Sequence, residues 1–238
     1  MDINDIKFRI ADNNDIDSII EIEQSSFSRI ICEDKDVFLQ RIETFRKGFI
    51  VMEYYNRVIG YICSEIWAYS ETIDKDKFTF GHLIKDIHNP NGNEVYISSM
   101  GILPKVRGYG LGNAMFEFFI RYILELVESP KSILLIVSEN WTNARNIYIN
   151  HGFKEICILY EFIDYRLVSP FKENAIVMRR LLELWWILLS HLHFQIKSLV
   201  LFFFTSHNAM ENIFIVEYVR INKGISDNRD WRRTLCQK

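Results

Sequence analysis

The stretch from Glu94 to Val127 constrains this chain more than any other. An alternating apolar strand carrying Val95, Ile97, Met100 and Ile102 runs into Leu103-Pro104-Lys105-Val106-Arg107-Gly108-Tyr109-Gly110-Leu111-Gly112. Met115, Phe118, Phe119, Tyr122 and Leu126 then recur at helical spacing. Strand, glycine turn and helix form a layout that aims backbone N–H groups, reinforced by the helix dipole, at an anionic ligand. Glycines suit such a turn because a side chain would hold a pyrophosphate off the backbone and because positive φ is often required. Two well-known phosphate signatures do not fit. A P-loop ends in Gly-Lys-Ser/Thr, which is missing here, and the dinucleotide fingerprint G-x-G-x-x-G differs from the G-x-G-x-G of Gly108, Gly110 and Gly112. A purely structural turn remains the plain alternative.

The longer pattern Pro104-x-x-Arg107-Gly108-x-Gly110-x-Gly112, set between such a strand and such a helix, resembles the acetyl-CoA motif of the GCN5-related N-acetyltransferases (the GNAT superfamily). A second segment is similar to the same superfamily. After the continuous apolar run Ile133 to Val137, read as a buried parallel strand, comes Ala144-x-x-x-Tyr148-x-x-x-Gly152-Phe153. Ala144 and Tyr148 share one face of a short helix that Gly152 ends. The asparagine the superfamily usually carries three residues before the alanine is Trp141 here, with Asn140 and Asn143 on either side.

Element order agrees with that resemblance. Ile6 to Ile10 reads as a strand. Asp12-Asn13-Asn14-Asp15 offers helix caps before Ile16, Ile19, Ile20 and Glu23, and Asp34 precedes a second helix with Val37, Phe38, Ile42 and Phe45 on its apolar face. Gly48 to Tyr54 and Val58 to Cys63 read as a hairpin turning at Asn56-Arg57, and Phe153 to Tyr160 with Asn174 to Arg179 as the closing strands. The expected fold class is therefore α/β, a mixed central sheet flanked by helices in the GNAT arrangement. Residues 1–182 form the catalytic domain and residues 183–238 an atypical C-terminal extension.

Composition excludes several alternatives. The chain has 238 residues, 49% hydrophobic and 25% charged, with net charge −3, so bulk charge gives no nucleic-acid binder. Cys32, Cys63, Cys157 and Cys236 are scattered with no C-x-x-C, which argues against zinc or a disulfide framework and fits a reducing cytoplasm. The acidic start Met1-Asp2-Ile3-Asn4-Asp5 is unlike a signal peptide. His82, Asp86 and His88 match no standard metal spacing, so no metal is expected. Those three lie in an insertion, Trp67 to Asn93, which the resemblance puts on the substrate side. Residues 184–204 are predominantly apolar, but alternation at His191, His193, Gln195 and Lys197 spoils a clean membrane span. A membrane-associated tail, a dimerising or self-covering element, and a sequence not selected to fold are the three readings left open there.

The resemblance implies acetyl-CoA as co-substrate, lying between the splayed ends of the Glu94–Ile102 and Ile133–Val137 strands. A bulge near Met100-Gly101 would free the N–H of Ile102 for the thioester carbonyl. Backbone amides across Gly108, Tyr109, Gly110, Leu111, Gly112 and Asn113 would take the pyrophosphate, with Arg107 adding charge and Asn143 (or Asn140) meeting the cofactor. Tyr148 matches the superfamily tyrosine that protonates the leaving thiolate; its alternative is a packed aromatic. Tyr96-Ile97-Ser98-Ser99-Met100-Gly101 resembles the Tyr-Ile-x-Ser/Thr-Leu-Gly of ribosomal-protein and protein N-terminal acetyltransferases, where the tyrosine orders a water beside the amine. Glu94 is a second candidate base, while Ile136, at the position where relatives place a glutamate or histidine, cannot accept a proton. The implied activity is N-acetylation of a primary amine, of a protein or peptide N-terminus or of a small amine such as a polyamine, aminoglycoside or amino acid. A non-catalytic acyl-CoA-binding or membrane-tethered module is the reading from a different class.

Overall fold

A computed structural model of the chain describes residues 5–164 and 171–182. The expectations for the extension beginning at residue 183 lie outside the described residues. Seven strands form one sheet: β1 (Ile6–Ile10), β2 (Phe49–Tyr54), β3 (Arg57–Trp67), β4 (Glu94–Ile102), β5 (Ser132–Ser138), β6 (Lys154–Asp164) and β7 (Lys172–Leu181), in the order β1-β2-β3-β4-β5-β7-β6. All pairings are antiparallel except β4 with β5. The helices are α1 (Ile16–Ser26), α2 (Lys35–Phe45), α3 (Ile84–Ile87), α4 (Leu111–Leu126) and α5 (Thr142–Asn150). The sheet is mixed and flanked by helices, as the sequence implies.

Local chemistry accounts for the elements. Asp12 opens the first helical turn with a reciprocal cap: its side chain accepts from Asn14 N–H while the Asp15 side chain accepts from Asp12 N–H at 2.8 Å. The β2–β3 hairpin turns at Tyr55 and Asn56, both at positive φ (47° and 59°), one residue earlier than the sequence suggests. Two left-handed residues give the turn whose twist matches the strands, so β3 begins at Arg57.

Both faces of the sheet are covered, which explains why nearly every residue of β3 is buried. α1 and α2 lie on one face, where Tyr61 packs against Phe38 and Phe49 (ring centroids 5.4 and 6.0 Å). α4 lies on the other, where Phe8 of β1 stacks on Phe118 at 4.4 Å. Phe116 and Phe119 of α4 are fully buried; removal of such a side chain from water stabilises by about 1.5–3 kcal/mol. α5 joins the α4 side, with Tyr148 against Phe116 at 4.9 Å. At the C-terminal end of α5, Gly152 adopts φ +83°, the left-handed residue that stops the helix.

Candidate active site

The site arises from one interruption in the sheet. β4 and β5 pair in register from Glu94↔Ser132 to Ile97↔Leu135 and no further, although both strands continue. On its other edge β4 stays paired with β3, with a register shift that leaves Ser98 as the extra residue between Ile97↔Ser64 and Ser99↔Cys63. The bulge therefore sits at Ser98, two residues before the expected Met100-Gly101. An extra residue increases local twist, and here it coincides with the point where β4 leaves β5. Leu103 N–H donates to Ile59 C=O at 2.9 Å. Alternation along an antiparallel pair then turns the N–H groups of Met100 and Ile102 away from β3, toward the gap. The Ile102 carbonyl, on that same side, accepts from Ser26 Oγ (3.2 Å) and Arg107 Nε (3.0 Å).

The glycine turn follows directly. Gly108 and Gly110 hold φ +87° and +76°, and a Cβ on either would meet nothing within 4 Å among the described residues. These glycines are thus set by backbone conformation, with open space in front of them. Gly110 caps α4, whose first internal bond runs from Ala114 N–H to Gly110 C=O (3.1 Å). The N–H groups of Leu111, Gly112 and Asn113 have no helical partner and lie at the positive end of a 16-residue helix. Arg107, Tyr109 and Asn113 are exposed around them. A pyrophosphate fits this arrangement: unpaired amides, clear approach and a nearby guanidinium.

An open cleft occupies the splay, lined among others by Ser98, Ser99, Met100, Ile136, Trp141 and Tyr148. Tyr148 makes no hydrogen bond within the described residues, and burial pushes its hydroxyl up to about 12. Tyr96 also lines the cleft. It is stacked on Trp67 at 4.1 Å and edge-on to Phe78 at 5.5 Å, and burial, with Glu65 nearby, holds its phenol well above the ordinary tyrosine range. Glu94 shares a strand face with Tyr96 but not the cleft. It opens on a separate cavity behind Trp67 and Phe78, where it accepts from Ser132 Oγ (2.6 Å) and pairs with Arg179 (2.9 Å). The structure therefore brings Tyr96, Tyr148, Met100 and Ile102 to one opening and leaves Glu94 outside it. Asn140 is tied by its side chain to Glu173, whereas Asn143 is exposed and unpaired within the described residues.

Several residues in and behind the cleft escape a motif-based reading. Glu33 holds the buried Arg41 through both carboxylate oxygens (2.7 Å to Nη2), and Glu65, fully buried, pairs with His82 of the insertion at 2.5 Å and with Trp67 Nε1 at 3.1 Å. Glu23, 1% exposed on α1, accepts from Tyr61 OH and from Glu33 N–H at 3.0 Å. Their signal in the sequence is a charge on an apolar stripe: Glu23 with Ile16 and Ile19, Arg41 with Phe38 and Ile42, Glu65 with Tyr61 and Cys63. His88, the other insertion histidine, accepts from Ile66 N–H at 3.1 Å, so the two rings face different partners. Among the described residues no three His, Cys, Asp or Glu side chains converge on a metal position, and no helix is long and apolar enough to cross a membrane.

Comparison with known proteins adds to this geometry. The model of the acetyltransferase (GNAT) family matches residues 16–153. No curated protein matches the chain in sequence. Among solved structures, the loading GNATL domain of CurA from Lyngbya majuscula superimposes at TM-score 0.62 with 15% identity, covering 74% of this chain and 97% of that one. The ribosomal-protein-S18-alanine N-acetyltransferase from Escherichia coli superimposes at 0.56 with 16% identity, covering 75% and 95%. yncA from Salmonella typhimurium, solved with its cofactor acetyl-CoA, gives 0.56 with 16% identity, covering 76% and 95%. At these identities the likeness is one of fold.

Proposed function

The chain belongs to the acetyltransferase (GNAT) family, and from that membership we propose that it moves the acetyl group of acetyl-CoA to a primary amine by direct attack within a ternary complex. The observation that carries this reading is the parting of β4 from β5 after Ile97↔Leu135, with two β4 amides and the Tyr148 hydroxyl at the opening. Acetyl-CoA supplies the activated acyl group as a substrate. Leu111, Gly112 and Asn113 N–H groups with Arg107 hold its pyrophosphate, the turn at Gly108, Tyr109 and Gly110, left-handed at its two glycines, lets the phosphates approach, and Asn143 meets the cofactor because Asn140 is already engaged. Met100 and Gly101 shape the strand end, and the Ile102 N–H polarises the acetyl carbonyl.

Tyr148 donates the proton that the departing thiolate needs. Its raised pKa keeps the hydroxyl protonated through the neutral range, the state a general acid requires. Tyr96, equally held in its protonated form, positions the amine or a water beside it rather than acting as a phenolate base. Glu94, bound to Ser132 and Arg179, supports β4 and β5 instead of meeting substrate.

The favoured acceptor is a protein or peptide N-terminal amine. Tyr96 to Gly101 carries the strand pattern of that enzyme type, and the aromatic and aliphatic rim of Phe27, Ile31 and Trp141 suits the residue that follows an α-amine. A polyamine, by contrast, calls for several free carboxylates, and of the two that line the cleft, Glu23 and Glu33, the second is taken by Arg41. The cytoplasm is the proposed location, on the scattered cysteines. The test is acetyl-CoA turnover with a panel of peptides, polyamines, aminoglycosides and amino acids. Turnover with peptides alone supports the reading, turnover confined to small amines moves the substrate class, and binding of acetyl-CoA without turnover contradicts catalysis.

A further inference from the structure

A line of three oxygen groups joins the opened end of β4 to the interior of α1, and the roles assigned so far use none of them. Ser99 follows the bulge, beyond the last β4–β5 pair, and lines the cleft. Its Oγ lies 2.8 Å from the Tyr61 hydroxyl, which donates in turn to Glu23 Oε2. Phe38 and Phe49 fix the Tyr61 ring, and the Glu33 N–H fixes Oε1 of Glu23. Along β4 the side chains divide by face. Met100 reaches toward Gly112 on the α4 side, whereas Ser99 turns to Tyr61 on the α1 side. Tyr148, packed on Phe116 of α4, therefore reaches the splay from one face of the sheet and the Ser99–Tyr61–Glu23 line from the other.

Resting on the acetyl-transfer reading, we infer that Glu23 is the terminal proton acceptor for the attacking amine, reached from the cleft through the hydroxyls of Ser99 and Tyr61. As the C–N bond forms, the amine gives a proton to Ser99 Oγ, Ser99 passes its own to Tyr61, and Tyr61 passes its own to the Glu23 carboxylate. The C–S bond breaks and the thiolate takes the Tyr148 proton. Glu23 then returns one proton to solvent, and Tyr148 regains one, before the next cycle. This exit answers a need of the site: Ile136 lies on β5 at the cleft and cannot accept a proton.

The surroundings of Glu23 suit the role. Tyr61 and Cys63 face it from β3, Cys32 and Glu33 from the segment between α1 and α2, and Arg41 from α2. Arg41 is bound by Glu33, so of the two carboxyls lining the cleft only Glu23 lacks a cationic partner among the described residues. Burial pushes its carboxyl up to about 7, partly offset by the Tyr61 hydroxyl and the Glu33 amide. A base poised near neutrality combines the ionised form with enough basicity to take the proton.

The experiment compares the wild type with Glu23→Gln and Tyr61→Phe, both close isosteres, in acetyl transfer to two amines of different basicity across pH 5.5–9 (roughly the range spanning a near-neutral base). The inference predicts a fall in kcat of about 10²-fold or more for each variant, unchanged acetyl-CoA affinity, and no further loss in the double variant. It also predicts that the wild type shows an acidic limb near neutrality that is independent of the amine chosen and is missing in Glu23→Gln. A carboxyl titrating near neutrality in infrared difference spectra of the free protein, lost in Glu23→Gln, is the readout that needs no turnover. Variants as active as the wild type, or a limb that persists in Glu23→Gln, overturn the role of Glu23 alone. A wild type that binds acetyl-CoA and acetylates no amine overturns the transfer reading and this inference with it.

Discussion

Ile97 and Leu135 are the last residues of β4 and β5 to face each other across the parallel pair. Beyond them β4 remains fastened to β3 and β5 to β7, so each strand is held on its outer edge while the inner edges part. The gap is bounded by paired strands on both outer edges, and among the described residues no strand fills it, so the inner-edge amides of β4 stay free of sheet pairing.

The glycine turn gives the first prediction. Gly110→Val places a β-branched side chain at φ +76°, which costs about 1–2 kcal/mol of stability. Its Cβ meets nothing among the described residues, and in the proposed complex it projects where the phosphates approach. Calorimetric titration should show acetyl-CoA affinity lowered by about tenfold or more, ~1.4 kcal/mol per tenfold, in a protein that still melts cooperatively. Unchanged affinity would make the turn structural only.

Tyr148 and Tyr96 should separate kinetically. Tyr148→Phe keeps the ring on Phe116 and removes the hydroxyl, so kcat should fall by about 10²–10⁴-fold with acetyl-CoA affinity nearly preserved. Tyr96→Phe should act on the amine, and its defect should shrink as pH rises and more free amine is present. A pH-independent Tyr96→Phe defect would assign that ring to packing with Trp67 and Phe78.

The buried carboxyl on α1 makes stability depend on pH in an unusual direction. The fold raises Glu23 from the ordinary 4.5 to about 7, so it favours the neutral form. That contribution is complete below the ordinary carboxylate range and is lost as pH rises through about 7. Urea melts of the wild type should therefore lose about 1–3 kcal/mol from this group between pH 4.5 and 8, whereas Glu23→Gln should lose that much less. Equal losses in the two proteins would show that the carboxyl is not buried as described.

What could be read from the residues alone differs between motif and network. Gly108 to Gly112 and Ala144 to Phe153 are local: each lies within one turn or helix, so spacing alone shows the pattern. The order of elements along the chain, with the helices before and after the glycine turn, is legible for the same reason. The bulge at Ser98 is not, because it depends on how β4 registers against β3, and the hairpin turn shifts by one residue because Tyr55 accepts a positive φ usually left to Asn or Gly. Glu23, Tyr61 and Ser99 lie 38 residues apart in two steps and meet only when the sheet has formed. Only the oddity of a glutamate on an isoleucine stripe marks Glu23 beforehand.

The domain boundary is open to a direct test. β7 ends at Leu181, and Leu182 N–H donates to Lys131 C=O at 2.9 Å, closing the sheet beside β5. A protein of residues 1–182 should fold and bind acetyl-CoA with the affinity of the full chain. If it is insoluble while the full chain is soluble, the extension covers domain surface and the boundary at 182 is wrong.

The most direct test of the whole account is mass spectrometry of an amine panel after incubation with the 238-residue chain and acetyl-CoA. The account predicts one added acetyl group on the α-amine of peptide acceptors, with release of an equal amount of CoA, and loss of both in Tyr148→Phe. Tight acetyl-CoA binding with no acetylated amine of any class would contradict it.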